Sequence, residues 1–239
     1  MKTTITLALL AVFFTGCSTT GAQSSRSATD QFDVTPFTSI ESSVVANIEI
    51  RQSSNTSVTA EGSERLLDIL EVRMDNGKLV LDMEDRHLKK FKGNTDKLVI
   101  AITTPTLSKI DFEGVGNIEI QGTFSTPELI IDSEGVGNFK ANNLDVGFIR
   151  ISSEGVGNTT LGGKADRVEI SSEGVGNVNA SKLVARSTTV SSEGVGNVSC
   201  HASEYLKVRS DGIGGVTYYG NPTETDFSKN GIGKIKAGD

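Results

Sequence analysis

The sequence predicts an all-β protein built as a parallel β-helix, a solenoid of coils of about 20 residues each with an irregular β-rich N-terminal portion. Two observations carry this prediction. A short glycine-rich motif recurs at a nearly constant spacing, and apolar and polar residues alternate with period two between its copies. Repeats of this kind indicate stacked structural units, and the alternation is typical of half-buried strands.

The motif reads Ser-Glu-Gly-Val-Gly-Asn in its regular copies, and its two glycines supply a corner at which a strand can bend. Seven copies, two of them degenerate, follow one another at a spacing of roughly 20 residues. A leucine-rich repeat has a similar period but needs a leucine pattern that is absent here. A series of hairpins would need recurring two-residue turns at half this spacing. We therefore expect seven stacked coils over residues 106–239.

Each coil carries four apolar positions, which we interpret as one inward-facing set. Counted from the acidic residue of the motif, they lie three residues before it and two, five and seven residues after it. In one coil they are Ile170, Val175, Val178 and Ala180. A single coil cannot bury such residues alone, and stability is therefore expected to grow as coils stack.

Stacking turns the motif positions into columns along the solenoid axis. The amide column consists of Asn117, Asn138, Asn158, Asn177 and Asn197. The serine column consists of Ser133, Ser153, Ser172, Ser192 and Ser210. We expect the amides to hydrogen-bond along the axis and to fix the register, and the serines to point inward beside the corner. Both columns are predicted to be structural.

The acidic column is the candidate functional feature of the repeat. It consists of Glu113, Glu134, Glu154, Glu173, Glu193 and Asp211, with Asn230 as the seventh equivalent. Carboxylates held about 4.8 Å apart repel each other by roughly 0.9 kcal/mol per pair in water. Splayed, solvated side chains would relieve this repulsion, and so would bound Ca²⁺ or a basic partner. The sequence leaves these three alternatives open, although the nine-residue Asp pattern of calcium-binding solenoids is absent.

Residues 32–105 lack the motif but are rich in predicted strands, and we interpret them as a β-rich part that caps the solenoid. The predicted strands cover residues 44–50, 70–74, 79–83 and 98–102. The sequence Asp75-Asn76-Gly77 lies between two of them and is typical of a type I′ hairpin turn.

Residues 1–16 are predicted to form a signal peptide, because one lysine precedes an apolar run over residues 5–14 that is too short to span a bilayer. The Phe-Thr-Gly sequence before Cys17 resembles the lipobox of bacterial lipoproteins, with Phe in place of the usual Leu. That resemblance implies acylation of Cys17 and, from Ser18, sorting to the outer membrane of a Gram-negative bacterium. Residues 17–31 are then a lipidated cysteine and a flexible tether.

Composition and spacing argue against several function classes. The chain has 23 Lys and Arg against 30 Asp and Glu, a net charge of −7, which argues against nucleic-acid binding. His87 and His201 lack partners at catalytic or metal-binding spacings, and Cys200 is expected to be a small buried hydrophobe. We predict no catalytic residues and no cofactor apart from the Ca²⁺ alternative. A polysaccharide-active enzyme is the third alternative, disfavoured because the motif carboxylates recur in every coil.

One basic segment runs from Arg86 to Lys92, with Lys97 beyond it. A run of charge is typical of a solvated loop. The alternative is a contact with anionic lipid or with lipopolysaccharide phosphate.

The recurring small-Gly-x-Gly-x-apolar coils after a β-rich opening resemble the bacterial head GIN domain family of auto-transporter adhesins, over about residues 32–235. This chain has Glu, Asp or Asn where the family usually has the Ser of Ser-Gly-x-Gly. The resemblance implies a right-handed β-helix on the cell envelope.

We accordingly expect a non-enzymatic, lipid-anchored envelope protein whose solenoid presents a repetitive interaction surface, adhesin-like in role. Its expected partners are the membrane, through the anchor, and an envelope glycan, lipopolysaccharide or protein. The alternative is an envelope structural or ligand-binding module that uses the acidic column for divalent cations.

Overall fold

The computed structural model describes residues 27–83 and 97–238, and strands are the predominant secondary structure of these residues. The predicted signal peptide, Cys17, His87 and most of the basic segment lie outside these residues. The elements, in chain order, are β1 Ser27–Phe32, β2 Ser39–Ser42, β3 Asn47–Gln52, β4 Ser57–Ser63, α1 Glu64–Leu67, β5 Leu70–Asp75, β6 Lys78–Met83, β7 Leu98–Thr104, β8 Lys109–Phe112, β9 Ile118–Gln121, β10 Phe124–Ser133, β11 Phe139–Ser153, β12 Thr159–Ser172, β13 Val178–Ser192, β14 Val198–His201, β15 Tyr205–Ser210, β16 Val216–Tyr219, β17 Glu224–Lys229 and β18 Ile235–Ala237.

Successive repeats stack as parallel strands. Strand β10 pairs with β11, β11 with β12, and β12 with β13, each with its equivalent residues opposite one another. The stack makes a β-solenoid of about 6 turns that repeat about every 20 residues. The predicted parallel β-solenoid is therefore confirmed, with about six turns where seven coils were expected, because seven motif copies are separated by six intervals.

The long strands bend and contribute to three segments of each coil. Strand β11 pairs with β12 over residues 139–141, 144–146 and 148–153, with a register shift between Ala141 and Leu144. Three of the four predicted apolar columns face the interior, as illustrated by the buried side chains of Ile170, Val178 and Ala180. These columns form a continuous core along the solenoid axis.

The fourth apolar column faces solvent, and its predicted inward orientation is wrong. Its members are Val115, Val136, Val156, Val175, Val195, Ile213 and Ile232. Their exposed fractions range from 48% at Val115 to 73% at Ile232. The reason is the corner itself, because both neighbours of each residue are glycines that pack directly on the coil before.

The close packing of the corner explains both glycines. A Cβ at Gly176, which has a φ of +148°, would overlap the carbonyl oxygen of Gly157 in the preceding coil. The Val175 N–H donates to the Gly155 carbonyl at 2.9 Å, and the Gly176 N–H donates to the Val195 carbonyl at 2.9 Å. At each corner a single residue pairs in parallel with the corners on either side, and its side chain can only point outward.

The solenoid begins one coil earlier than the motif predicts. Val45 forms a parallel bridge with Val115, and β3 pairs in parallel with β9. Strand β2 likewise pairs with β8. Residues 39–52 therefore form a complete first corner with its two flanking strands. The chain then continues on the N-terminal side of this coil and reaches its other side at Lys109, where β8 begins.

The segment between β3 and β8, together with β1, closes the N-terminal end of the solenoid. Strands β6 and β7 continue the two faces beyond β2 and β3 in parallel. Strand β5 then pairs antiparallel with β6, and the positive φ angles of Asn76 and Gly77, 48° and 80°, confirm the predicted hairpin turn. Strands β4 and β1 add antiparallel beyond β7, and α1 begins after Ser63, whose hydroxyl accepts from the Leu66 N–H. The flexible tether predicted over residues 17–31 is therefore wrong for residues 27–31, because they pair with β4 as part of β1.

The C-terminal end is more open. Every residue of β17 is exposed, including Phe227 at 42%, although Phe227 stands in an inward column. Lys229 replaces the inward serine of the preceding coils, and its Nζ donates to the Gly233 carbonyl at 3.0 Å. A charged residue at an inward position of a terminal strand protects that edge from further strand pairing.

Candidate functional site

The candidate site is the corner surface, which we define as three parallel columns on the outside of the solenoid corner. The central column is apolar and consists of Val45, Val115, Val136, Val156, Val175, Val195, Ile213 and Ile232. The acidic column lies two residues before it from Glu113 to Asp211, and Ser43 and Asn230 hold the equivalent positions in the first and last corners. The amide column lies two residues after it from Asn47 to Asn197, and Gly215 and Lys234 hold the equivalent positions in the last two corners. Because glycine separates the columns in all but the first corner, no other side chain covers the apolar one from its own coil.

The central column is continuous from one coil to the next. Seven parallel bridges connect its eight residues, so that each side chain stands beside the equivalent one. At about 4.8 Å per step the column is about 34 Å long. A contiguous exposed row of this length is unusual on a soluble monomer, where apolar residues are more often scattered.

The amide column is a hydrogen-bonded ladder. The Asn138 Nδ2 donates to the Asn117 Oδ1 at 2.8 Å, and the Asn138 backbone N–H donates to the same oxygen at 3.1 Å. The same pair of bonds recurs up to Asn197. The ladder extends to Asn47, whose Oδ1 accepts both bonds from Asn117 at 3.0 Å. Each amide therefore fixes the backbone of the next corner as well as its side chain.

The acidic column lies beside the corner with its carboxylates toward solvent. Glu113, Glu134, Glu154, Glu173 and Glu193 are exposed, and Asp211 is half-buried. The Ser171 hydroxyl donates to the Glu173 carboxylate at 3.2 Å, and equivalent bonds join Ser152 to Glu154 and Ser191 to Glu193.

Asp211 is held more firmly than the other members of its column. It accepts from the Asn230 amide at 3.0 Å and from the Arg209 guanidinium at 2.6 Å. These two partners, Asn230 first, lower the pKa of the Asp211 carboxyl below its ordinary value. The last coils therefore replace the open acidic column with paired groups.

A shallow acidic cavity of about 410 Å³ lies where the column passes the first coils. Its lining includes carboxylates of the acidic column together with Asp111 and Asp132. Lys109 lies among them, 2.8 Å from Asp111 and 3.4 Å from Asp132, and its hydrogen bond to Asp111 is the main cause of its raised pKa. Within residues 27–83 and 97–238, no three His, Cys, Asp or Glu side chains are grouped closely enough to hold a metal ion.

Cysteine and histidine often serve in catalysis, but Cys200 and His201 make contacts here that are typical of structural residues. Cys200 is fully buried in the interior, and burial raises the pKa of its thiol to about 12, so that the nucleophilic thiolate is suppressed. The Nδ1 of His201 accepts from the Ala185 N–H at 3.4 Å. In the described part of the chain, no helix has the length and hydropathy needed to cross a bilayer.

Sequence reasoning missed two features of this surface. The outward direction of the apolar column was hidden because valine is a typical core residue. The first corner was hidden because it lacks both glycines, yet Asn47-Ile48-Glu49-Ile50 repeats Asn117-Ile118-Glu119-Ile120 residue for residue. That identity is the signal that could have revealed the first coil.

Comparison with known proteins gives a consistent result. A family model described as "Putative auto-transporter adhesin, head GIN domain" matches residues 36–222, more than half of the chain. A crystal structure named a "putative adhesin", from Bacteroides fragilis, is 34% identical with a TM-score of 0.85, and the match covers 90% of this chain and 98% of that one.

Two further structures share the fold. A "putative lipid binding protein" from Parabacteroides distasonis is 20% identical with a TM-score of 0.68, over 89% of this chain and 97% of that one. A "putative adhesin" from Parabacteroides merdae is 17% identical with a TM-score of 0.64, over 89% and 96%. None of the functionally curated proteins compared with this chain matches it.

Proposed function

This chain belongs to the head GIN domain family, and on that premise we propose that it is a non-enzymatic cell-envelope protein whose solenoid presents a repetitive interaction surface in adhesion. A lipid on Cys17 anchors it to the outer membrane, and the residues between Cys17 and β1, which begins at Ser27, connect the solenoid to that anchor. Its partner is an envelope glycan, lipopolysaccharide or a protein.

The observation that carries the proposal is the corner surface. Its side chains repeat at a fixed spacing because backbone bridges and the amide ladder hold every corner against the next. A surface that is ordered before binding loses little conformational entropy when a partner docks. Repetition also lets weak contacts add up along the solenoid, which suits adhesion better than the recognition of one small molecule.

The surroundings of the reactive residues support a non-enzymatic role. The Cys200 thiol is buried and protonated, and the corner carboxylates recur coil after coil instead of forming one asymmetric cluster. The structures that resemble this chain are named for adhesion or lipid binding.

The anchor is tested in a Gram-negative host that expresses the full chain and its Cys17→Ser variant. We expect radioactive palmitate to label the parent chain and the parent chain to be enriched in the outer-membrane fraction, and neither to occur for C17S. Equal labelling of the two chains, or a parent chain in the soluble fraction, would contradict the anchor.

The interaction surface is tested with the same cells on immobilised lipopolysaccharide, envelope glycans and protein matrices. A triple change of Glu154, Glu173 and Glu193 to Gln is expected to reduce retention on the partner severalfold. A triple change of Glu128 to Gln and of Asp145 and Asp166 to Asn is the matched control, because it removes the same number of exposed carboxylates away from the corner. Retention that does not depend on the chain would refute an adhesive role, and release of new reducing ends from the glycans would refute a non-enzymatic one.

The acidic column gives a second candidate, a divalent-cation module. The supporting observation is that Glu113, Glu134 and Glu154 of the column line one cavity, in which Lys109 pairs with Asp111 and Asp132 and leaves these three to other cations. A thermal melt in excess Ca²⁺ and then in EDTA tests it. A rise of several degrees that the same triple Gln variant abolishes would favour this candidate, and an unchanged midpoint would leave the column as a solvated face.

A further inference from the structure

We propose that two copies of this chain associate side by side and parallel, with the apolar columns of their corner surfaces packed against each other. This proposal rests on the proposed function, because it takes the corner surface as the interaction surface and names a second copy of the chain as a partner that binds there. It adds an interface that nothing in the fold of one chain requires.

The size of the corner surface fits such an interface. Its three columns over eight rungs comprise 24 positions, and a protein–protein interface of standard size uses about 20 to 30 residues from each partner. Its centre is apolar, with eight β-branched side chains from 41% to 73% exposed, while its margins are polar. A dry centre with a polar margin is the usual anatomy of an interface.

A parallel two-fold axis also makes the margins complementary. Rotation about an axis along the solenoid exchanges the two sides of the central column, and it therefore brings the acidic column of one copy opposite the amide column of the other. Glu154 then faces Asn158 of the partner subunit, and Asn230 faces Lys234 of the partner subunit. The ladder uses one hydrogen of each Nδ2 group, which leaves the second hydrogen for a carboxylate across the interface.

An antiparallel arrangement has the opposite consequence. A two-fold axis across the column places acidic column against acidic column, so that Glu154 faces Glu173 of the partner subunit and Glu113 faces Asp211 of the partner subunit. Like charges opposed in this way are destabilising and are a common means of rejecting a wrong partner. The charges of the corner surface thus select the parallel orientation, which is also the one that two copies anchored in one membrane through their N-termini can adopt.

Cysteine cross-linking of the full chain tests both the interface and its direction. Val115 and Ile213 are the second and the seventh of the eight rungs. In the parallel arrangement each rung meets itself, so that V115C alone and I213C alone each become cross-linked by a short bis-maleimide. The control is V184C, because Val184 is 51% exposed away from the corner surface. The buried Cys200 does not compete, and the unsubstituted chain gives the background that includes Cys17.

We expect severalfold more cross-linked dimer from V115C and from I213C than from V184C. Two results would overturn the proposal. One is a yield from V115C and I213C no higher than that from V184C. The other is a cross-link that forms only when V115C and I213C are mixed, because that pattern reports the antiparallel arrangement.

A charge in the centre of the column provides a second measurement. V156K is expected to convert the purified full chain from dimer to monomer in sedimentation equilibrium, whereas V184K leaves the dimer intact. Val156 and Val184 are almost equally exposed, at 52% and 51%, and matching thermal melts of both variants would show that the fold is kept. A V156K chain that still dimerises overturns the proposal. V156K keeps every carboxylate of the acidic column, and retention of the V156K monomer in the adhesion assay therefore tests the proposed function independently of the dimer.

Discussion

The first corner of the solenoid and the later corners share their backbone pairing but differ in their side chains. Val45 is flanked by Val44 and Ala46, whereas each of the seven later outward residues stands between two glycines. The later glycines pack on the corner before them, where a Cβ would overlap a carbonyl oxygen. The first corner has no corner before it, and its Val45 N–H instead donates to the Met83 Sδ at 3.5 Å.

This difference shows that glycine is required by stacking and not by the change of direction alone. Ala46 occupies the position of Gly116 without a positive φ, because the only described non-glycine residues with positive φ are Asn76 and Asn221. Among the eight corners, both the close approach and the positive φ therefore occur only where one corner lies on another. The outward apolar residue is common to all eight corners, and it is the part of the motif that stacking alone does not explain.

The largest effect is expected from a methyl group placed between two stacked corners. Gly176→Ala would force a Cβ against the Gly157 carbonyl at a φ of +148°, and we expect the free energy of unfolding to fall by about 3 kcal/mol or more from strain and overpacking. The reverse change at the first corner, Ala46→Gly, should cost only about 0.5 to 1 kcal/mol. Urea unfolding followed by circular dichroism measures both. Equal costs would show that the turn, and not the stacking, requires glycine.

The next effect concerns what supports the first corner. Met83 is buried at 4% exposure and lies against Val45. Met83→Ala should leave a cavity there and lower the free energy of unfolding by about 2 to 4 kcal/mol. Met74→Ala, at a half-buried position of the neighbouring strand β5, is the control and should cost clearly less. A Met83→Ala variant as stable as the Met74→Ala variant would mean that the first corner stands without the side chain beneath it.

A smaller effect is expected to distinguish an amide inside the hydrogen-bonded ladder from the amide at its N-terminal end. Asn158→Ala removes one donated and two accepted hydrogen bonds, whereas Asn47→Ala removes the two bonds that it accepts from Asn117. We expect losses of about 1 to 2 kcal/mol for Asn158→Ala and about 1 kcal/mol for Asn47→Ala, because exposed hydrogen bonds contribute modestly. Thermal melts of the two variants side by side decide the order. A larger loss at Asn47 would contradict a ladder that is strengthened by neighbours on both sides.

The same contrast explains how far the fold could be predicted from the sequence. The later coils were predictable because stacking forces Gly-x-Gly to recur at a regular period, and because the alternation identified Ile170, Val178 and Ala180 as interior residues. The first coil was not predictable from that motif, since Val44 and Ala46 are free of the constraint that imposes glycine. Its place between β7 and β9 depends on pairing between segments far apart in the chain, and local patterns do not specify such pairing.

For the candidate site, the sequence predicts correctly which residues form each column, but it predicts the wrong direction for the side chains of the apolar column. The Asn and Glu columns could be listed from the motif alone, because the stacking of equivalent residues follows from the period. The outward direction of Val175 could not, because hydropathy reports what a side chain prefers and not where two glycines force it to point. An apolar residue that the backbone holds in solvent at eight successive corners calls for an explanation outside the folding of one chain.

The smallest expected effect tests that last point. Val156→Thr changes an exposed side chain to a polar one of nearly equal shape, and we expect the free energy of unfolding to change by less than about 0.5 kcal/mol. Val178→Thr is the control, because Val178 is 2% exposed and a buried hydroxyl should cost about 1 to 3 kcal/mol. Urea unfolding at a protein concentration too low for association measures folding alone. If Val156→Thr is as costly as Val178→Thr, the outward column contributes to the fold of a single chain. If its cost is negligible there but grows as the protein concentration is raised, the valine is retained for contact with a partner copy.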